Sequence, residues 1–186
     1  MITLIIVDCQ NDFITGTMAI EGAKDVVEEI KNYIKSHKKE IDRIIFTAQW
    51  HPYNHSSFKQ FGGKLQHHCI QFTPGACIEP KLLKFVQSYN IKYEVSTRGE
   101  IEEVDQYGAL KEIEYAQDSV SRRYYFDSVV TADADTDFVI CGVFDVKNTI
   151  TNLLNGRIIP KVYKKGICCL DKTFDNFIKE SGIEYE

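Results

Sequence analysis

The chain has 186 residues, 44% of them hydrophobic, which supplies one sizeable core, so residues 1–186 are expected to form a single domain. Its net charge is −5, with 22 basic and 27 acidic residues interspersed, and it offers no basic stripe for nucleic acid or an anionic membrane; neither is expected as a partner. The opening Met-Ile-Thr-Leu-Ile-Ile-Val-Asp has no basic leader and too short an apolar run for a signal peptide or a membrane span, so a cytoplasmic location is expected.

Residues 4–7 are a continuous apolar run ending at Asp8, which predicts a strand buried on both faces of a parallel sheet and central in it. Over residues 24–38, Val26, Val27, Ile30, Tyr33 and Ile34 recur at helical spacing with Lys and Glu on the other face, which predicts the first crossover helix. Residues 44–48 predict the next strand. Trp50, Pro52, Asn54, Gly62, Gly63, Pro74 and Gly75 then punctuate a long loop, and loops of such length are uncommon in compact domains unless they are functional. Pro80 opens a helix carrying Leu82, Leu83 and Val86, and residues 92–95 predict a third strand. Residues 108–130 mix helical spacing with the cluster Tyr124, Tyr125 and Phe126 and define no single element. Residues 138–141 predict a further buried strand broken by Gly142, and residues 146–154 a helix ended by Gly156. A strand over 158–163 and a short helix over 173–181 complete the alternation.

Strand and helix alternation predicts an α/β, three-layer, Rossmann-like domain: a mostly parallel sheet with helices on both faces, connected right-handedly. Ligands of such sheets bind outside the carboxyl ends of the strands. Asp8, Gln49, the segment after Val95 and the turn after Cys141 all fall on that edge. The six cysteines lack paired CxxC spacing and read mainly as small buried hydrophobes. Cys141 lies within an apolar strand, where a thiol is inert, and alternation points Cys9 away from the face that Asp8 serves.

Val7-Asp8-Cys9-Gln10-Asn11-Asp12-Phe13 resembles the D-x-Q-N-D-F motif of the nicotinamidase and isochorismatase-like hydrolases. Trp50-His51-Pro52 with His55, Ser57 and Phe58, then His68-Cys69 and Thr73-Pro74-Gly75-Ala76, resembles that family's D-W-H-P-x-x-H-x-S-F and H-C-x-x-G-T-x-G-A block in the same order. Arg98-Gly99 with Asp105 and Tyr107 resembles its Lys-Gly block, and residues 139–143 resemble the strand and glycine before its T-D-x-C-V turn. The resemblance implies the isochorismatase-like hydrolase fold, hydrolysis of small amides through an Asp, Lys and Cys triad, and a divalent metal (zinc, iron or manganese) held by an Asp and two His. Family members often assemble, so a homo-oligomer is implied as well.

Carried over by position, the resemblance makes Asp8 the catalytic Asp, and a partly buried carboxylate suits acid or base work; the alternative is an Asp capping the following loop. Asp12 matches the residue that orders the motif's own loop. Arg98 stands at the catalytic Lys; it can hold an anion but cannot give up its proton, and the alternative is a solvent-facing Arg beside a turn. Gln49, His51 and His68 fall on the metal positions, where Gln removes the one anionic ligand; the alternative is that the two His form a polar scaffold in the loop. His55 and His67 are the secondary candidates to take over as ligands. Six residues after Gly142, the position of the nucleophilic Cys is taken by Asn148, and a carboxamide is no nucleophile.

Three readings stay open. The chain is a diverged hydrolase that activates water directly, a non-catalytic relative that binds a small aromatic or carboxylated ligand with Phe13, Trp50 and Arg98 as pocket walls, or a structural subunit.

Overall fold

The computed structural model describes residues 1–109, 111–113, 123–125, 136–168 and 170–186. The sheet consists of β1 (Ile2–Val7), β2 (Ile41–Gln49), β3 (Lys92–Arg98), β6 (Asp137–Gly142) and β7 (Lys161–Ile167), in the order β3-β2-β1-β6-β7 with every pair parallel. All six residues of β1 are buried, which is why its sequence reads as an unbroken apolar run rather than an alternation. It is the middle strand, as predicted. Two short strands, β4 (Lys111–Ile113) and β5 (Arg123–Tyr125), pair antiparallel; the rest of residues 110–135, including Phe126, lies outside the described residues.

The helices are α1 (Asn11–Ile14), α2 (Ala23–His37), α3 (Pro80–Ser88), α4 (Val146–Asn155) and α5 (Lys172–Glu180). On α2 the buried set Val26, Val27, Ile30, Tyr33 and Ile34 is the stripe that the spacing predicted. Pro80 occupies the first turn of α3, where its missing N–H leaves nothing unsatisfied, and the Glu79 side chain caps that turn through Leu82 N at 2.6 Å. The result is the expected three-layer Rossmann-like α/β architecture. No helix among the described residues is long and apolar enough to cross a membrane.

Strands β2 and β3 run longer than the apolar stretches that predict them, and two further departures have a local cause. The last strand begins at Lys161 rather than Ile158, because Pro160 has no N–H for a ladder and the Ile158 N–H is already bonded to Leu153 O at 2.8 Å, closing the end of α4. Gly156 does follow α4, but at φ −77; the left-handed residue of that terminus is Arg157, at φ 62.

The long loop after β2 is ordered by bridges between His51 and Ile70 and between Phe58 and Leu65, and by 3₁₀ turns at Lys59–Phe61 and Pro74–Ala76. Gln10, in the loop after β1, pins it to the sheet. Its buried side chain donates to Gln49 O (2.8 Å) and Ala76 O (2.7 Å) and accepts from Gln49 N (2.8 Å). Asp12 is the tie that its motif predicts, accepting from Thr17 N within its own loop (3.3 Å) and from Cys69 N (2.7 Å).

Candidate active site

Three of the four segments expected at the carboxyl edge, joined by the long loop, surround a cavity of about 430 Å³, and Asp8 is not on its lining. Gln49 from the end of β2, Ser57 and Lys64 from the long loop, Tyr107 from the segment after β3, and Asp145 and Asn148 from the turn into α4 line it. The volume lies in the range that takes a small organic ligand.

Beside this cavity runs a charged network. Arg98 is 1% exposed and donates to both oxygens of Asp8, Nη1 to Oδ1 at 2.7 Å and Nη2 to Oδ2 at 2.5 Å, a two-pronged geometry that fits guanidinium to carboxylate. Nη2 also donates to Asp145 Oδ2 at 2.8 Å. Asp145 accepts further from Gly108 N on Oδ2 (2.7 Å) and from Asn148 Nδ2 on Oδ1 (2.5 Å). Asp8 receives Thr47 Oγ1 as well, at 2.8 Å. The sequence-predicted Asp8, Arg98 and Asn148 are therefore brought together, and the link between Arg98 and Asn148 is a residue the sequence reading did not select, Asp145.

Backbone conformation delivers both carboxylates. Asp8 (φ 52) and Asp145 (φ 54) each take the left-handed region just beyond adjacent strands, a conformation that Asp tolerates better than most residues. β1 and β6 approach closely at this end: Gly142 pairs with Val7 at φ 150, and a Cβ there would meet the Val7 backbone. Burial would lower the Arg98 guanidinium, but Asp8 and Asp145 more than reverse this and hold it charged. Burial pushes the Asp145 carboxyl above its ordinary value, against the opposing pull of Arg98.

A second cluster adjoins the first. Gln49 Oε1 lies 2.8 Å from His51 Nε2 and 2.7 Å from His68 Nε2, while Gln49 Nε2 lies 3.3 Å from Asp8 Oδ2. Each ring's other nitrogen faces a backbone carbonyl, His51 Nδ1 at 2.9 Å from Gly99 O and His68 Nδ1 at 2.7 Å from Gln66 O. The three expected metal positions thus converge, but as two imidazoles around a neutral carboxamide that itself fills the space between them. Among the described residues no three His, Cys, Asp or Glu side chains form a metal-holding group, so the donor set does not fit the expected divalent ion. His55 is engaged by Ser57 Oγ (2.8 Å) and Val104 O (3.1 Å), and His67 by Tyr53 O (3.1 Å).

Neither expected aromatic wall lines the cavity. Phe13 is fully buried and stacks behind the lining residue Phe144 at 4.4 Å between ring centroids; Trp50 packs edge-on against Phe72, at 5.4 Å. Arg98 lies behind Asp145 rather than on the lining. None of the five described cysteines lines it either, and burial pushes the thiols of Cys9, Cys69 and Cys141 upward, away from reactivity. Cys169 lies outside the described residues.

The family model for the isochorismatase domain matches residues 3–97. The chain is 27% identical over 157 residues to a nicotinamidase of Escherichia coli, covering 74% of this chain and 71% of that one. Over 60 residues it is 37% identical to a nicotinamidase of Saccharomyces cerevisiae, 31% of this chain and 28% of the yeast protein. The solved yeast nicotinamidase superposes with a TM-score of 0.79 at 19% identity, covering 100% of this chain and 99% of that one. The pyrazinamidase of Pyrococcus horikoshii in complex with zinc superposes with a TM-score of 0.74 at 20% identity, covering 100% and 98%.

Proposed function

The chain belongs to the isochorismatase family, and from that premise we propose that it is a diverged relative of the nicotinamidases that lacks the cysteine nucleophile and binds a small aromatic or carboxylated molecule. The observation that supports this reading is the closed network Asp8–Arg98–Asp145–Asn148. Asn148 holds the nucleophile's place with a carboxamide. Arg98 holds the place of a lysine whose ammonium can give up its proton, whereas a guanidinium keeps its own. Asp8 is committed to Arg98 and Thr47 rather than presented to an incoming group.

The cavity retains what a ligand needs. Phe144 gives it an apolar surface, and Ser56, Lys64, Tyr107 and Asn148 give it hydrogen-bonding groups. The yeast nicotinamidase has been solved bound to the inhibitor nicotinaldehyde, a monocyclic pyridine, at a TM-score of 0.74 to this chain. A ring of that size bearing a carboxylate or carboxamide matches this lining, with Lys64 or Asn148 facing the polar substituent.

A panel of nicotinamide, nicotinate, pyrazinoate and benzoate tests the reading by thermal unfolding. A binder raises the midpoint with concentration, by about 2.7 kcal/mol of added stability at a hundred times its dissociation constant. A flat response to the whole panel sinks the ligand-binding reading. One specific observation favours a second reading: Asp145 is a cavity-lining carboxylate that burial raises, the property of a base that activates water. Both carboxylates are held by Arg98, but Asp145 alone of the two lines the cavity, so it is the one a bound water would meet if the chain hydrolyses anything.

A further inference from the structure

The hydrogen count around Gln49 assigns its carboxamide a specific role. His51 Nδ1 and His68 Nδ1 face Gly99 O and Gln66 O at 2.9 and 2.7 Å, and a carbonyl only accepts, so each Nδ1 carries the ring's hydrogen. Both rings are buried, His51 at 4% and His68 at 1% exposure, and each is bonded to a backbone carbonyl and a neutral carboxamide, with no carboxylate among the described residues to pair a charged ring, which leaves it neutral. Each Nε2 is then a bare lone pair. Two lone pairs converge on one end of one carboxamide, at 2.8 and 2.7 Å.

An oxygen at that end would oppose both lone pairs, or else force both hydrogens onto Nε2 and set two Nδ1 lone pairs against two carbonyls. An NH₂ group there has two hydrogens for two acceptors. The ends of a carboxamide are nearly isosteric and are assigned by such networks. Turning Gln49 about its last bond leaves one oxygen–oxygen approach, to Asp8 Oδ2 at 3.3 Å, and that oxygen is already compensated by Arg98 Nη2 at 2.5 Å.

We propose that the Gln49 NH₂ group takes the place of a divalent cation in this fold, donating one hydrogen to His51 Nε2 and one to His68 Nε2, and so closes the site to metal. The electropositive hub is a neutral amide built into β2. The two imidazoles are a scaffold joining the long loop to the sheet, and the cavity beside them works without an ion. This stands whether or not the cavity proves to bind a ligand.

Two measurements on the intact chain test it. The protein, purified without a tag and equilibrated with excess zinc chloride before desalting, is expected to retain substoichiometric zinc by mass spectrometry, whereas Gln49→Glu, which trades both hydrogens for an anionic oxygen at the same length, retains about one equivalent. Long-range ¹H–¹⁵N spectra of the two imidazoles are expected to show Nδ1–H tautomers, and this readout needs no variant. One equivalent of zinc in the wild type, or Nε2–H tautomers at both rings, overturns the proposal. If Gln49→Glu fails to fold, the wild-type zinc content and the tautomers still decide.

Discussion

Arg98, the last residue of β3, and Asp145, the residue before α4, are joined at 2.8 Å across the ends of the two intervening strands β2 and β1, with Asp8 held by the same guanidinium. One side chain thereby ties together three of the segments that form the carboxyl edge. Its partners are 0% and 7% exposed, so the network is a structural brace as well as the floor of the candidate site.

Removing that brace has a large expected effect. Taking one partner out of a buried ion pair leaves an uncompensated charge, at a cost of about 3–5 kcal/mol. Arg98→Met and Asp8→Ala are both expected to lose stability on that scale in urea unfolding. Arg98→Lys, which keeps the charge but not the two-pronged geometry, is expected to lose about 1.5–3 kcal/mol. A change below about 0.5 kcal/mol for Arg98→Met would show that the network does not brace the fold.

A pH dependence follows from His51. Burial, with His55 and His68 beside it, pushes its imidazole from 6.5 down to about 3. The folded value lies below the unfolded one, so on acidification the unfolded chain takes up the proton first. The contribution is fully present above about 6.5 and is lost toward 3 at about 1.4 kcal/mol per pH unit. His68 is shifted in the same direction. The urea midpoint is expected to fall between about pH 6.5 and about pH 4.5, and less steeply in His51→Asn. An unchanged midpoint across that window contradicts the buried, neutral assignment.

Gly99 is where the backbone and the imidazole cluster meet. It sits at φ 68, and an added Cβ would lie 2.6 Å from His51 Nδ1. Gly99→Ala combines backbone strain with displacement of that ring, and a loss of about 1–3 kcal/mol is expected by thermal unfolding. A neutral substitution would mean that the loop relaxes freely and that His51 is not held by Gly99 O.

Most of the fold was legible because buried parallel strands and amphipathic helices write their periods plainly, as in residues 4–7 and on α2. The last strand was displaced because Ile158 and Ile159 look strand-like while Pro160 and the end of α4 decide the local hydrogen bonding. Motifs located Asp8, Arg98, Asn148 and the Gln49 cluster. They did not single out Asp145, since counting six residues from Gly142 passes over it; an Asp directly before an apolar-periodic helix was the available signal. Phe13 and Trp50 were expected as walls for their aromatic character, and which face an aromatic turns is a tertiary matter that spacing within a loop does not encode.

The residue correspondence itself is open to a gain-of-function test. If Asn148, Arg98 and Gln49 stand where a nucleophile, a titratable cation and a charged ligand belong, then Asn148→Cys with Arg98→Lys and Gln49→Asp is expected to release ammonia from nicotinamide above the wild-type level when zinc is supplied. Ordinary folding by circular dichroism without any gain would count against the correspondence.

The most direct test of the central claim is ammonia release from nicotinamide and pyrazinamide by the purified wild-type chain. No turnover above the buffer rate is expected if the proposed correspondence holds, because the cavity then presents the Asn148 carboxamide in place of a nucleophile, and the Arg98 guanidinium and Asp8 carboxylate behind it are paired with each other. Sustained turnover that Asn148→Ala or Asp145→Asn abolishes would contradict it.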